Sequence, residues 1–146
     1  MEESEFIHRN QQINLAFTQF DPALREIANR SEYEFNDKCG TVRGRSLTLD
    51  DGPLSKMVSF CIENSIYEVD LEKLQVYLGW GSWLYEGESR RTPFWFLKRN
   101  YFSGSINELP PLFDKTLAQM MVDLNLITGQ ITKREGEYYS VPKPGV

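Results

Sequence analysis

Leu54-Ser55-Lys56-Met57-Val58-Ser59-Phe60-Cys61-Ile62 is the stretch on which the fold reading turns. Its apolar residues Leu54, Met57, Val58, Cys61 and Ile62 fall at i, i+3, i+4, i+7 and i+8. That spacing makes one continuous helical face and predicts an amphipathic helix. The turn Asp50-Asp51-Gly52-Pro53 leads into it. Before the turn, Tyr33, Phe35, Val42, Leu47 and Leu49 alternate with polar residues and two glycines, as short strands would. After it, Asp70 reads as the N-cap of a short helix carrying Leu71, Leu74 and Leu78, with Gly79 at its exit.

Towards the N-terminus, Phe6, Ile13, Phe17 and Phe20 are spaced by seven, four and three, one helical stripe that Leu24 and Ile27 continue. Asp21-Pro22 interrupts it as an N-cap followed by a first-turn proline. Residues 5–31 therefore predict a two-part helical arm. Towards the C-terminus, the aromatic-rich runs Ser82–Glu86 and Pro93–Lys98 predict a hairpin with a long polar loop. Phe113, Leu117, Met120, Met121, Leu124 and Ile127 then mark a second amphipathic helix stopped by Gly129. A closing hairpin is expected from Gln130–Arg134 and Glu137–Val141, followed by an extended Pro142–Val146 tail. These elements predict a single α+β domain, with a small, mostly antiparallel sheet and two main amphipathic helices. The N-terminal helical arm occupies 1–31 and the α+β body 32–146.

The chain has 146 residues and a net charge of −5, with 40% hydrophobic and 25% charged residues. This is one folded domain's worth of chain, and its acidity argues against a surface devoted to DNA or anionic membrane. No apolar run approaches the roughly 18 residues that cross a bilayer. The acidic start Met1-Glu2-Glu3-Ser4-Glu5 is unlike a secretory signal, which implies a cytosolic origin. Cys39 and Cys61 need no bridge in a domain of this size, and Cys61 is expected as a buried thiol on the helix face. With no Cys-x-x-Cys pair and His8 as the sole histidine, no metal or cofactor is expected.

Catalytic constellations are equally sparse. His8 lies on the arm, away from any paired nucleophile. Asp50 and Asp51 fit turn formation, and Glu86 and Glu88 fit surface pairing among arginines. Gly79-Trp80-Gly81-Ser82 is followed by no Lys-Ser/Thr and lies between a predicted helix and a strand, the reverse of a phosphate loop. The window Arg90–Tyr101 stands out: Arg90, Arg91, Lys98 and Arg99 interleave with Phe94, Trp95 and Phe96 and no acid. Its charge of +4 leaves −9 for the rest of a chain at −5. Such a run can stack on single-stranded nucleic acid, but apolar side chains on both strand faces favour burial or a protein interface. The helix and hairpin at 112–141 have the outline of a winged-helix motif, with Asp114, Lys115, Gln119, Asp123 and Asn125 on the helix, a set poor in cations for DNA.

The run Ser46-Leu47-Thr48-Leu49-Asp50-Asp51-Gly52-Pro53-Leu54 and the predicted helix Met57–Ile62 resemble the opening of Mu-type phage baseplate wedge proteins, relatives of contractile-tail sheath initiators. Gly79-Trp80-Gly81 is similar to that family's Gly-Trp-Trp-Gly neighbourhood, and Phe94–Arg99 to its Leu-Trp-Leu-Leu-x-Arg strand. Leu117–Gly129 with the Ile131 strand resembles its closing helix and sheet. The likeness spans 37–141, but Gly81 and Ser82 split the tryptophan pair and the sheath initiators' Glu-Pro-Arg signature is absent. It implies a non-enzymatic assembly protein in a multi-copy virion baseplate, made in host cytoplasm and docking other tail proteins by strand addition and aromatic contacts. The expected partner-binding residues are Trp80, Trp83, Arg90, Arg91, Trp95, Arg99, Ile131 and Tyr139. The alternatives are an acidic inhibitor or immunity-type protein against a basic enzyme and, more distantly, a winged-helix regulator.

Overall fold

A computed structural model describes residues 3–39, 42–63, 74–85, 95–135 and 139–141. The fold is α+β. Helices α1 (Glu3–Thr18) and α2 (Asp21–Asn29) precede strands β1 (Glu34–Cys39), β2 (Val42–Asp51), β3 (Leu54–Ile62), β4 (Gln75–Leu84) and β5 (Trp95–Ser105). A 3-10 turn at Ile106–Glu108, α3 (Pro110–Asn125), α4 (Gly129–Glu135) and β6 (Tyr139–Val141) follow. The sheet order is β1-β2-β3-β4-β5-β6, a meander whose neighbours are antiparallel except the parallel β5–β6 pair.

The expected helix over 54–62 is strand β3. A helix with Leu54, Met57, Val58, Cys61 and Ile62 inward would turn Phe60 to solvent. As a strand, the segment sends Leu54, Lys56, Val58, Phe60 and Ile62 to one side, all of them buried. Phe60 then sits between the helices, 4.6 Å from Phe17, 5.0 Å from Phe20 and 5.6 Å from Phe113 between ring centroids. Burial of this ring outweighs the helical spacing of its neighbours. The turn before β3 also suits a hairpin: Gly52 has φ 59° at the first of two loop positions, as a type II′ turn requires.

The short helix expected through Leu74, Leu78 and Gly79 is also absent. Val76, Leu78 and Trp80 alternate inward along β4, opposite Ile62, Phe60 and Val58, while Asp70 and Leu71 lie outside the described residues. The closing hairpin is replaced by α4, which contains Ile131, and by β6 lying parallel to β5. The Pro142–Val146 tail is outside the described residues. The strands before the turn, the β4–β5 hairpin and the helix ending near Asn125 do form.

Five large apolar groups from the N-terminal segment join one core: Ile13, Phe17, Phe20, Leu24 and Ile27 cluster with Val58, Phe60, Leu78, Phe113 and Leu117, while Ile7 and Leu15 are exposed. Asp21 does not cap α2, whose N-cap is Phe20. Its carboxylate instead accepts from Nε of Arg45 at 2.6 Å. Arg45 is 2% exposed and also donates to the Gly44 carbonyl at 2.9 Å. One buried cation thus ties α2 to β2. At the free edge, β1 exposes Glu34, Asn36, Asp37 and Lys38, with a register irregularity between Asn36 and Lys38.

The cysteines are not free. Cys39 and Cys61 form a disulfide with Cα atoms 6.1 Å apart, joining β1 to β3 past β2. Gly44, opposite Cys61, makes the approach possible, because a Cβ there would collide with the Phe60 carbonyl. Strand register, which spacing alone does not reveal, brings the two sulfurs together.

Phe60→Ala should cost about 3–5 kcal/mol, read as a lower denaturant midpoint in equilibrium unfolding. Replacing both cysteines by serine should cost about 3 kcal/mol for a loop of this length, and reductant should lower the wild-type midpoint but leave the double variant unchanged.

Candidate functional site

Because α1, α2 and α3 occupy the Phe60 side of the sheet, the opposite side of its central strands lies outside that core and is mostly half-buried. Strand alternation and register dictate what it displays: Met57 and Ser59 from β3, Tyr77, Gly79, Gly81 and Trp83 from β4, and Phe96, Lys98 and Asn100 from β5. These residues line a groove of about 160 Å³. Its floor is low because Gly79 and Gly81 contribute no side chains. The Trp83 and Phe96 rings stack beside it, 4.9 Å apart and inclined by 22°, both half-buried. The indole edge reaches back over Gly81, so a Cβ there would stand 2.8 Å from Trp83 Cη2. A Cβ on Gly79 would meet backbone instead, 2.5 Å from the Arg99 carbonyl oxygen.

One end of the groove is held by a polar chain. Asn100 Nδ2 donates to Ser103 Oγ at 2.6 Å, and Ser103 Oγ donates to Glu63 Oε1 at 2.8 Å. Tyr77 stands in the same region, where burial, and secondarily the Glu63 charge, raise its pKa. Lys98 is exposed at the rim.

The expected partner-binding residues scatter. Of the described ones, Trp83 has its ring on this face; Trp80 and Arg99 also line the groove, while their polar side-chain atoms bond on the helix side. Trp80 is a core residue, its Nε1 donating to the Tyr101 hydroxyl at 2.8 Å. Arg99 points to the helix side, where its guanidinium donates to Asp123 at 3.0 Å and lies 4.7 Å over the Tyr101 ring. Tyr101 also donates to Asp123, and burial followed by that hydrogen bond pushes its pKa far above the usual value. Trp95 is half-buried opposite Leu84. Ile131 is half-buried on α4 rather than on an edge strand, and Tyr139 pairs with Leu97 through β6. Arg90 and Arg91 lie outside the described residues.

Met57, Tyr77, Gly79, Gly81 and Asn100 were invisible as a set, because the helix readings at 54–62 and 71–79 placed them on unrelated surfaces. Phe96 and Lys98 fell within the aromatic–basic window without being singled out from it. A period-two reading of 54–62, 75–84 and 95–100 aligns all of them.

Among the described residues no group of three or more His, Cys, Asp or Glu could hold a metal ion, and no helix is long and apolar enough to cross a membrane. Compared with protein-family models, curated proteins and solved structures, the chain matches none.

The two floor glycines should respond differently to a methyl group. Gly79→Ala meets backbone that cannot yield and should lose about 1–3 kcal/mol. Gly81→Ala meets the movable Trp83 ring and should lose under about 1 kcal/mol while altering the near-UV circular dichroism of the Trp83–Phe96 stack. Thermal unfolding and near-UV spectra of both variants check this.

Proposed function

We propose that the protein is a non-enzymatic docking and assembly module that binds a neighbouring chain through the face of its sheet opposite the helices. The observation carrying this reading is the division of the sheet: one side is sealed by helices around Phe60, while the other presents half-buried Trp83, Phe96 and Tyr77 around a glycine-floored groove. Aromatic residues around a concave, partly desolvated patch are the usual anchors of protein recognition. The proposal moves the docking surface from the sheet edge to the sheet face. A three-residue β6 on one side and a polar, irregular β1 on the other make poor templates for strand addition.

The likeness to contractile-tail baseplate proteins supplies a candidate setting, a multi-copy virion assembly. Its opening helix corresponds here to strand β3 and its closing strand at Ile131 to helix α4, so that setting rests on the sequence likeness alone. For the winged-helix alternative, no hairpin follows α3 among the described residues to serve as a wing; α4 does.

The test is cross-linking of the full chain in its native lysate, followed by mass spectrometry with quantified ratios. The expected result is a partner at fixed stoichiometry that is lost from Trp83→Ser/Phe96→Ser and kept by Val122→Ser on the exposed side of α3. Retention by the Trp83/Phe96 variant would overturn docking through this face. Should the setting be a contractile tail, the chain also sediments with purified particles at a constant ratio per particle.

A further inference from the structure

The disulfide fastens an edge strand whose own side chains do little to hold it. β1 starts just after the buried Tyr33 and ends at Cys39. Only Phe35 and Cys39 in it turn away from solvent, while Glu34, Asn36, Asp37 and Lys38 are exposed. Phe35 is half-buried against the core, with the Arg25 guanidinium 4.5 Å over its ring. Pairing with β2 is irregular between Asn36 and Lys38. Beyond the ladder, the Lys38 carbonyl accepts from Ser46 Oγ at 2.7 Å and the Asp37 carbonyl from Arg45 Nη1 at 3.4 Å. Polar edge segments of this kind open locally, well below the free energy of global unfolding. The Cys39–Cys61 bond opposes that opening directly, because it fixes the last residue of β1 to fully buried Cys61 on a central strand.

Beneath β1 lies a better template. β2 has ten residues and pairs with β3 without interruption from Gly44 to Asp51. Phe35 stands opposite Leu47, with Glu34 opposite Thr48 and Asn36 opposite Ser46, so a segment taking the place of β1 needs an aromatic residue under Arg25 between two polar ones. We propose that the Cys39–Cys61 disulfide is a redox latch, whose reduction by a dithiol releases β1 and opens the β2 edge to an extended peptide with an aromatic residue between polar neighbours. A thiolate of the dithiol attacks one sulfur of the bond, and the other sulfur leaves as a thiolate and takes up a proton. The second thiol of the reductant then displaces the protein sulfur from the mixed disulfide, and that sulfur is protonated in turn. Two electrons and two protons pass to the protein, which gains two thiols, and the reductant ends as a disulfide. Backbone pairing supplies the affinity for the incoming peptide, and the site under Arg25 supplies the choice of side chain. With the bond closed the edge is blunted; with it open the edge is long and regular.

The test uses the full-length protein with and without dithiothreitol. Trypsin reads the opening, because Lys38 lies in β1 and Lys56 in the middle of β3. In the reduced protein, cutting after Lys38 should be about tenfold or more faster than after Lys56, whose strand opens only with the whole fold. Closing the bond should slow the Lys38 cut on the order of a hundredfold, the scale on which a closed loop of this length restrains the chain. Cys39→Ser/Cys61→Ser should reproduce the reduced pattern without reductant. A capped peptide of the β1 sequence 33–38, added at millimolar concentration because the tethered β1 competes with it, should shift the β2 amides by NMR in the reduced protein and not in the oxidised one. The same peptide with serine in place of its phenylalanine should bind about tenfold more weakly. Two free thiols in protein purified without reductant, or a Lys38 cut unchanged by reduction, would overturn the latch. Equal cutting at the two lysines would do so too, since the bond would then merely stabilise the whole fold. No peptide shift, the same shift in both redox states, or indifference to the serine change would remove the β2 site.

Discussion

A strand sends successive side chains to opposite sides, and in this protein that parity is fixed at Phe60. Once its ring is set among Phe17, Phe20 and Phe113, every other residue of β3 is assigned a side. Pairing carries the assignment to the neighbours: Leu78 opposite Phe60 and Trp80 opposite Val58 go inward, and Gly79, Gly81 and Trp83 go outward. A slip of one residue would turn Ser59 towards the helices and Phe60 away from them. Core and groove are therefore two consequences of one registration. A stretch of sequence chosen for its core cannot drift without carrying the groove with it.

Polar contacts reinforce the same assignment from the helix side. Arg45 is inward on β2, and its guanidinium is satisfied by Asp21 and by the Gly44 carbonyl, which anchors the start of α2. Further along the same side of the sheet, Asp123 on α3 gathers Arg99, Tyr101 and, through Tyr101, Trp80. A register irregularity between Leu78 and Gly79 accompanies the turn of Tyr101 towards α3. Removing one partner from such part-buried charge clusters is more damaging than their net worth suggests, because the other charge stays behind. The helices are thus fixed to the Phe60 side of the sheet by polar contacts as well as by packing.

The α+β class, the paired N-terminal helices, the β4–β5 hairpin and α3 could be read directly, because each has a periodicity with one interpretation. Segment 54–62 has two. Its apolar residues satisfy a helical spacing, and only the demand to bury Phe60, a tertiary fact, separates the readings. The same ambiguity at Leu74 and Leu78 hid the floor of the groove, since Gly79 looked like a helix stop rather than a strand interior. The aromatic–basic window was noticed, but alternate residues of a strand serve different surfaces: Lys98 and Phe96 face out, whereas Leu97 and Arg99 face the helices. Chemical character drew attention to the segment, and only register could divide it. The disulfide was hidden for the same reason, since Cys39 and Cys61 become neighbours through a hairpin whose register the spacing does not encode.

The β1 edge carries a consequence of its own. Its exposed Glu34, Asn36, Asp37 and Lys38 and its irregular spacing deny an incoming chain the flat ladder it would need. A protein whose aromatic groups face outward risks indiscriminate clumping when many copies are made together. Here the half-buried aromatics sit on a broad face of the sheet, while the β1 margin, along which fibres would grow, is blunted. Copies of the chain therefore meet no flat ladder to extend along β1.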